Sequence, residues 1–281
     1  MNQEQLPSLA NVLAVQAAGP VDQFVGQAED YGLIGVYGGH LVGQSLAAAF
    51  ETVDQPKMAH SFHCYFLKPG IGELPIAYEI TRLREGRASD VRSVLAKQAG
   101  KPVFQMNASF KLPEAGDEHQ IDMPDVATPE MLRASADANF APPPTKGGRT
   151  EMVLASPHFV QPEYTPGREP MLKLWMRCPY AENITARERQ VLLAYLSDGP
   201  LMFNSGIPHG LPFQTHRLTS IDHAGWFHRP CDVSQWMFFD QHSSAAADGR
   251  GMNHGTIFSQ GGQLLMTVAQ ESMLRKIVPK D

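Results

Sequence analysis

Eleven histidines, three cysteines and several arginines are the side chains best suited to metal, thiol or phosphate chemistry. His60 and His63 stand three apart, and His223 and His228 five apart. On a strand, a spacing of three sends side chains to opposite faces, so the first pair does not read as a chelate. No His-Glu-x-x-His run occurs. Cys64, Cys178 and Cys231 are odd in number and widely spread, with no Cys-x-x-Cys pair. That argues against a disulfide framework and a thiolate zinc cluster, and it fits a reducing, cytoplasmic compartment. Gly43-Gln44-Ser45-Leu46-Ala47 lacks the final glycine and the preceding strand of a nucleophile elbow. Gly249-Arg250-Gly251-Met252-Asn253-His254-Gly255 falls between predicted strands, not before a helix, so it is not read as a dinucleotide loop. Arg84, Arg87, Arg92, Arg229 and Arg250 are candidates for phosphate contact, each equally well explained as a solvated sheet edge. Neither a metal nor a dissociable cofactor is expected.

The elements that would position any site come next. A chain of 281 residues with 43% hydrophobic content holds one large or two modest domains. A net charge of −6 argues against a partner of nucleic acid or anionic membrane engaged by the whole surface. No stretch reaches 18 apolar residues, so no helical membrane span is expected. Met1 to Ala10 has no basic n-region and no apolar h-region and is not read as a signal peptide. Val278-Pro279-Lys280-Asp281 is not a peroxisomal address.

Between Pro113 and Thr150 the apolar pattern fades and prolines recur, ending in Pro142-Pro143-Pro144. This segment reads as an extended connector with a short helix near Pro129 to Ala136, capped by Thr128. The flanks resemble each other. Phe66-Leu67-Lys68-Pro69 matches Phe227-His228-Arg229-Pro230, Gly86-Arg87 matches Gly249-Arg250, and Ala99-Gly100 matches Gly261-Gly262. These pairs lie 161, 163 and 162 positions apart, which indicates a duplicated unit. In the first unit, His40 to Phe50 is apolar or small nearly all round and predicts an enclosed helix. Ile76, Tyr78 and Ile80 alternate with polar or small residues, as do Phe104, Met106, Ala108 and Phe110, the pattern of a sheet with one buried face. In the second unit, Thr185-Ala-Arg-Glu188 is a capping box ahead of Val191 to Leu196. Strands over Trp236 to Asp240, Gly255 to Ser259 and Leu264 to Met273 follow.

Two motifs carry a family resemblance. Gly38-Gly39-His40-Leu41-Val42-Gly43-Gln44-Ser45-Leu46, followed by His60-Ser61-Phe62-His63-Cys64-Tyr65-Phe66-Leu67-Lys68-Pro69-Gly70, resembles the first half of the type II acyl-CoA thioesterases, the TesB family. Ser220-Ile221-Asp222-His223-Ala224-Gly225-Trp226-Phe227-His228-Arg229-Pro230 resembles the second-half signature. The likeness runs from about Phe24 to Arg275 and is weakest across the connector. It implies an α+β double hotdog: two tandem units, each a helix wrapped by an antiparallel β-sheet. The units are placed at 1–112 and 151–281, with the connector at 113–150 and the active site in the second unit. Gly86 to Arg92 and Gly199 to Phe203 depart from the family pattern.

The resemblance also implies the chemistry: hydrolysis of fatty acyl-CoA to free fatty acid and CoA, by a homo-oligomer (dimer or tetramer). The family holds its attacking water with a carboxylate, a hydroxyl and an amide, which map here onto Asp198, Ser220 and Gln270. A thioester is already activated, so water needs a base and a fixed position more than a covalent nucleophile. Asp198 suits the base, and Ser220 and Gln270 can each donate and accept hydrogen bonds. Asp198 directly follows the apolar helix run and precedes Gly199-Pro200. Its own helix dipole is expected to raise its pKa. Gln44 is the loose first-unit counterpart of Asp198, and Ala108 that of Gln270, so one site per chain is expected. The alternatives are a hotdog enoyl-CoA hydratase or dehydratase using Asp222 and His223, and a non-catalytic acyl-CoA-binding protein.

Overall fold

The computed structural model describes residues 8–30, 32, 35–134, 149–156, 167–181, 183–209 and 214–277. After a short helix α1 (Leu9–Leu13) and strands β1 (Gln16–Ala17) and β2 (Gln23–Gln27), helix α2 spans Gly38–Phe50. Strands β3 (Met58–Phe66), β4 (Pro75–Arg84), β5 (Ser89–Gln98) and β6 (Lys101–Lys111) complete the first half. The second half follows helix α3 (Pro129–Ala134). It comprises β7 (Glu151–Leu154), β8 (Met171–Arg177), α4 (Ala186–Ser197), a 3-10 turn (Leu201–Gly206), β9 (His216–Ser220), β10 (Asp222–Phe227), β11 (Met237–Ala247), β12 (Arg250–Ser259) and β13 (Leu264–Lys276).

The duplication is visible in the strand order. The run β2-β4-β5-β6-β3 meets its mirror β10-β13-β12-β11-β8 at the antiparallel β3–β10 seam, where Tyr65 faces Asp222 and Ser61 faces Trp226. One sheet therefore runs through both halves of a double hotdog. Its inner face wraps α2 and α4, which pack against each other. The alternation read from the sequence is the burial observed: Ile76, Tyr78, Phe104, Met106, Ala108 and Phe110 face inward. Each large apolar side chain fully buried here contributes on the order of 1.5–3 kcal/mol. The β5–β6 hairpin turns on Ala99 and Gly100, both at positive φ, the geometry that matches strand twist in a two-residue loop.

Helix α2 is buried almost all round, as its composition predicts. It begins two residues earlier than expected, at Gly38. Those glycines open the helix because nothing larger fits. A Cβ on Gly38 would stand 2.6 Å from Asp198 Oδ2 and 2.9 Å from Phe66 Cε1, and one on Gly39 would collide with the Tyr195 carbonyl.

The connector is extended but docked. Thr128 caps α3 by accepting from the Met131 N–H, as expected. Residues 135–148 lie outside the described set. Upstream, the Trp175 indole N–H donates to Ala127 O at 2.9 Å, and Gln120 bonds both Gly262 O and the Leu264 N–H. Met123, Val126 and Leu132 close a second small core over Trp175, Trp236, Phe238 and Phe258 on the outer face.

Some local expectations need correction. A bulge between Ala59 and Ser61 breaks the alternation of β3. His60 and His63 therefore do not divide between the two faces. His60 reaches Ser109 Oγ at 2.8 Å, and His63 lies edge-on to Trp226. Arg92 is not a phosphate candidate: it is 1% exposed and donates to Thr52 Oγ1, Thr52 O and Arg84 O.

Candidate active site

The second-unit helix delivers the carboxylate. Thr185 accepts from the Glu188 N–H while Glu188 accepts from the Thr185 N–H, so the capping box holds the start of α4. Tyr195 and Leu196 are buried, and Asp198 is the C-cap, with Gly199-Pro200 ending the helix. Asp198 is only 5% exposed. Its Oδ1 accepts from Gln270 Nε2 at 2.7 Å, and it also accepts a backbone hydrogen bond from Gly39. The carboxylate thus lies at the N-terminus of α2, where no side-chain cap competes for the first-turn N–H groups.

Its pKa is pushed up to about 7. Burial is the cause, opposed by the bonds from Gln270 and Gly39. The direction matches the expectation but the reason differs. Withdrawal from water dominates, not the field of the helix to which Asp198 belongs.

Gln270 lies on β13, fully buried, in register with Asn253. With Nε2 committed to Asp198, its Oε1 has no hydrogen-bond partner among the described residues. Ser220 ends β9 opposite Ser272, on the same side of the sheet as Gln270 two residues earlier. It is half-buried, and its hydroxyl lies 3.8 Å from Met202 Sδ. The structure therefore joins Asp198 to Gln270 directly. Ser220 stands on the neighbouring strand and bonds neither of them. Asp222 explains the break that ends β9: its Oδ1 accepts from the Glu271 N–H at 2.7 Å in place of a strand carbonyl. Its neighbour His223 points inward, away from Asp222, so the two do not form an acid–base dyad.

Sequence reasoning missed the supporting residues. Tyr37 donates to the Tyr195 carbonyl at 3.0 Å, tying the two helices together beside the carboxylate. Asn253 accepts from the Ser205 N–H and donates to Gln270 O and Ser272 Oγ, linking the 3-10 turn to β13. The Gly38-Gly39 pair was the one available signal, since two glycines at a helix start mark a close approach.

The first unit differs at the matching positions. The helix-end residue corresponding to Asp198 is Glu51, which is exposed. Gln44 is not its counterpart. It sits in mid-helix, accepts from the Tyr78 hydroxyl at 2.6 Å and donates to Val12 O. Ala108 pairs with Arg92 as Gln270 pairs with Asn253. Arg92 lies in a buried network: Lys57 Nζ lies 2.7 Å from Asp90, and Asp90 accepts from the Gly86 N–H. Among the described residues, no group of three or more His, Cys, Asp or Glu side chains is arranged to hold a metal ion.

Comparison with known proteins follows this two-part organisation. The acyl-CoA thioesterase family model matches residues 169–273, and the acyl-CoA thioesterase N-terminal domain model matches residues 27–111. The chain is 34% identical to acyl-CoA thioesterase 2 of Haemophilus influenzae over 90% of its own length and 92% of that protein. The crystal structure of acyl-CoA thioesterase II TesB2 from Mycobacterium marinum superposes with a TM-score of 0.81 at 30% identity, covering 96% of this chain and 99% of that one. A hotdog-fold protein of unknown function from Alicyclobacillus acidocaldarius, 20% identical, superposes with a TM-score of 0.78 over 97% of this chain and 100% of its own, a likeness of fold. With both halves matched and the likeness running nearly end to end, the chain belongs to the acyl-CoA thioesterase family.

Proposed function

We propose that this chain hydrolyses fatty acyl-CoA to free fatty acid and CoA by direct attack of a water held by Asp198, Gln270 and Ser220. The observation that carries the reading is the buried Asp198–Gln270 pair, 2.7 Å apart, with the carboxylate raised to about 7. A base of that pKa is ionised over much of the neutral range and still basic enough to take a proton from water. Gln270 orients it through Nε2 and keeps an unpartnered Oε1, suited to accept a hydrogen bond from the water. Ser220 supplies a third polar contact from β9. As the water's oxygen attacks the thioester carbon, its proton passes to Asp198. The C–S bond then breaks, and the thiolate of CoA leaves and is protonated.

The same reading sets the units at 1–112 and 151–281 with the connector at 113–150, gives each chain one active site, and takes the protein as a cytoplasmic homo-oligomer. Among the described residues no helix is long and apolar enough to cross a membrane. The separation of Asp222 from His223 disfavours the hydratase alternative, and a buried titrating carboxylate disfavours a mere binder.

The test is release of thiol from a panel of acyl-CoAs. Asp198→Asn should lower kcat at least about a hundredfold, the range that loss of a general base costs. Unchanged release from a folded variant would move the base elsewhere.

A further inference from the structure

One buried imidazole near Asp198 has no part in the chemistry above. His223, on β10, is fully buried. Its Nε2 lies 2.9 Å from Ser197 Oγ, the residue before Asp198. The Ser197 hydroxyl donates its single hydrogen to Ala194 O at 2.8 Å. The imidazole must therefore donate through Nε2–H, leaving Nδ1 bare, and Nδ1 has no partner among the described residues. Burial pushes the His223 pKa down to about 3, so the ring is neutral throughout the working range.

The register puts this bond beside the catalytic pair. Ala224 on β10 faces Ala269 on β13. The residues next to them, His223 and Gln270, therefore leave adjacent strands on the same inner side. His223 takes Ser197 and Gln270 takes Asp198. Two neighbouring strands thus hold two consecutive residues at the end of α4. A third bond fixes the strand that carries the imidazole: the Cys64 thiol on β3 donates to the His223 carbonyl at 3.1 Å.

We infer that His223 is a positioning residue, clamping the last turn of α4 to β10 through Ser197 so that the Asp198 carboxylate meets Gln270 and the water at reacting distance. The inference rests on Asp198 being the base. Removing the clamp lets the helix end shift while Gln270 stays on its strand. Misplacement by about 1 Å costs on the order of a hundredfold in rate. Substrate binding is untouched, because neither His223 nor Ser197 belongs to the proposed water site.

The experiment is thiol release by His223→Leu, His223→Gln, Ser197→Ala and the His223→Leu/Ser197→Ala double variant, with Asp198→Asn alongside, all assayed well below their melting temperatures. His223→Leu and Ser197→Ala should each lower kcat by about 10- to 100-fold with KM within about threefold. His223→Gln, which offers an amide N–H at similar reach, should recover most of the loss. The double variant should be no slower than the worse single one, because both remove the same bond. If His223→Leu does not fold, Ser197→Ala, which removes only a hydroxyl, carries the test. Three results would overturn the proposal: both single variants within threefold of wild type in kcat, no recovery with Gln, or losses that multiply. If Asp198→Asn itself remains active, the assignment of the base fails, and this inference fails with it. If Asp198→Asn is inactive while the single variants are not, only the clamp fails.

Discussion

Asp198 shows how one side chain's surroundings set a proton affinity and, through it, a stability. Its carboxyl has a reference value of 3.8 and is raised to about 7 in the fold. Between those values the native chain holds a proton that the unfolded chain releases, so this group's contribution falls as pH rises across the window. It is fully present below about pH 4 and lost by about pH 7. Asp198→Asn carries no such charge. It should match wild type in stability near pH 4 and exceed it above pH 7 by a few kcal/mol, since each tenfold difference in proton affinity between the folded and unfolded chains is worth about 1.4 kcal/mol. Melting temperatures of both proteins across that range measure the difference, and parallel curves would contradict it. That Asp198, Gln270 and Ser220 are candidates was legible through motif resemblance. The dominance of burial over the helix dipole was not, because it depends on α2, which lies about 150 positions earlier in the chain. His223 was visible in its motif beside Asp222, but its partner Ser197 was not, since the two become neighbours only when β10 meets α4.

At the scale of elements, the start of α2 decides whether the carboxylate has room. Glycine at a helix interior costs about 1 kcal/mol against alanine, so replacement by alanine ordinarily stabilises. At Gly38 the clash with Asp198 Oδ2 and Phe66 outweighs that gain, because overpacking costs about 1–3 kcal/mol. Gly38→Ala should therefore lower both melting temperature and kcat, the latter by displacing the base. A more stable and fully active Gly38→Ala would show the helix start to be loosely packed. Both main helices and about half of the strands were legible from period and capping signals, whereas β1, β2 and β7 to β10 were not read. The bulge in β3 and the break at Ile221 were not. Each depends on a partner strand, on β6 in the first case and on Glu271 of β13 in the second.

At the scale of the molecule, duplication made two halves of one plan and left the proposed chemistry in one. Its internal landmarks were visible as constant offsets in the sequence. The strap of connector over Trp175 and Phe238 was not, because it relies on a few anchors with no periodic pattern. In the first half, Arg92, Asp90 and Lys57 form a buried charged network where the second half places Asn253 bonded to Ser205 of the 3-10 turn. A non-hydrolysable thioether analogue of acyl-CoA, titrated calorimetrically, should bind with one site per chain. Two sites of equal affinity would mean that the first half also works.

The most direct measurement is the titration of the carboxyl itself. The infrared difference between wild type and Asp198→Asn isolates the Asp198 carboxyl band, which can be followed from pH 4 to pH 9. A buried general base at this position predicts a midpoint near 7, coinciding with the acid limb of kcat. A midpoint near 4, or an activity limb that does not follow the band, would contradict it.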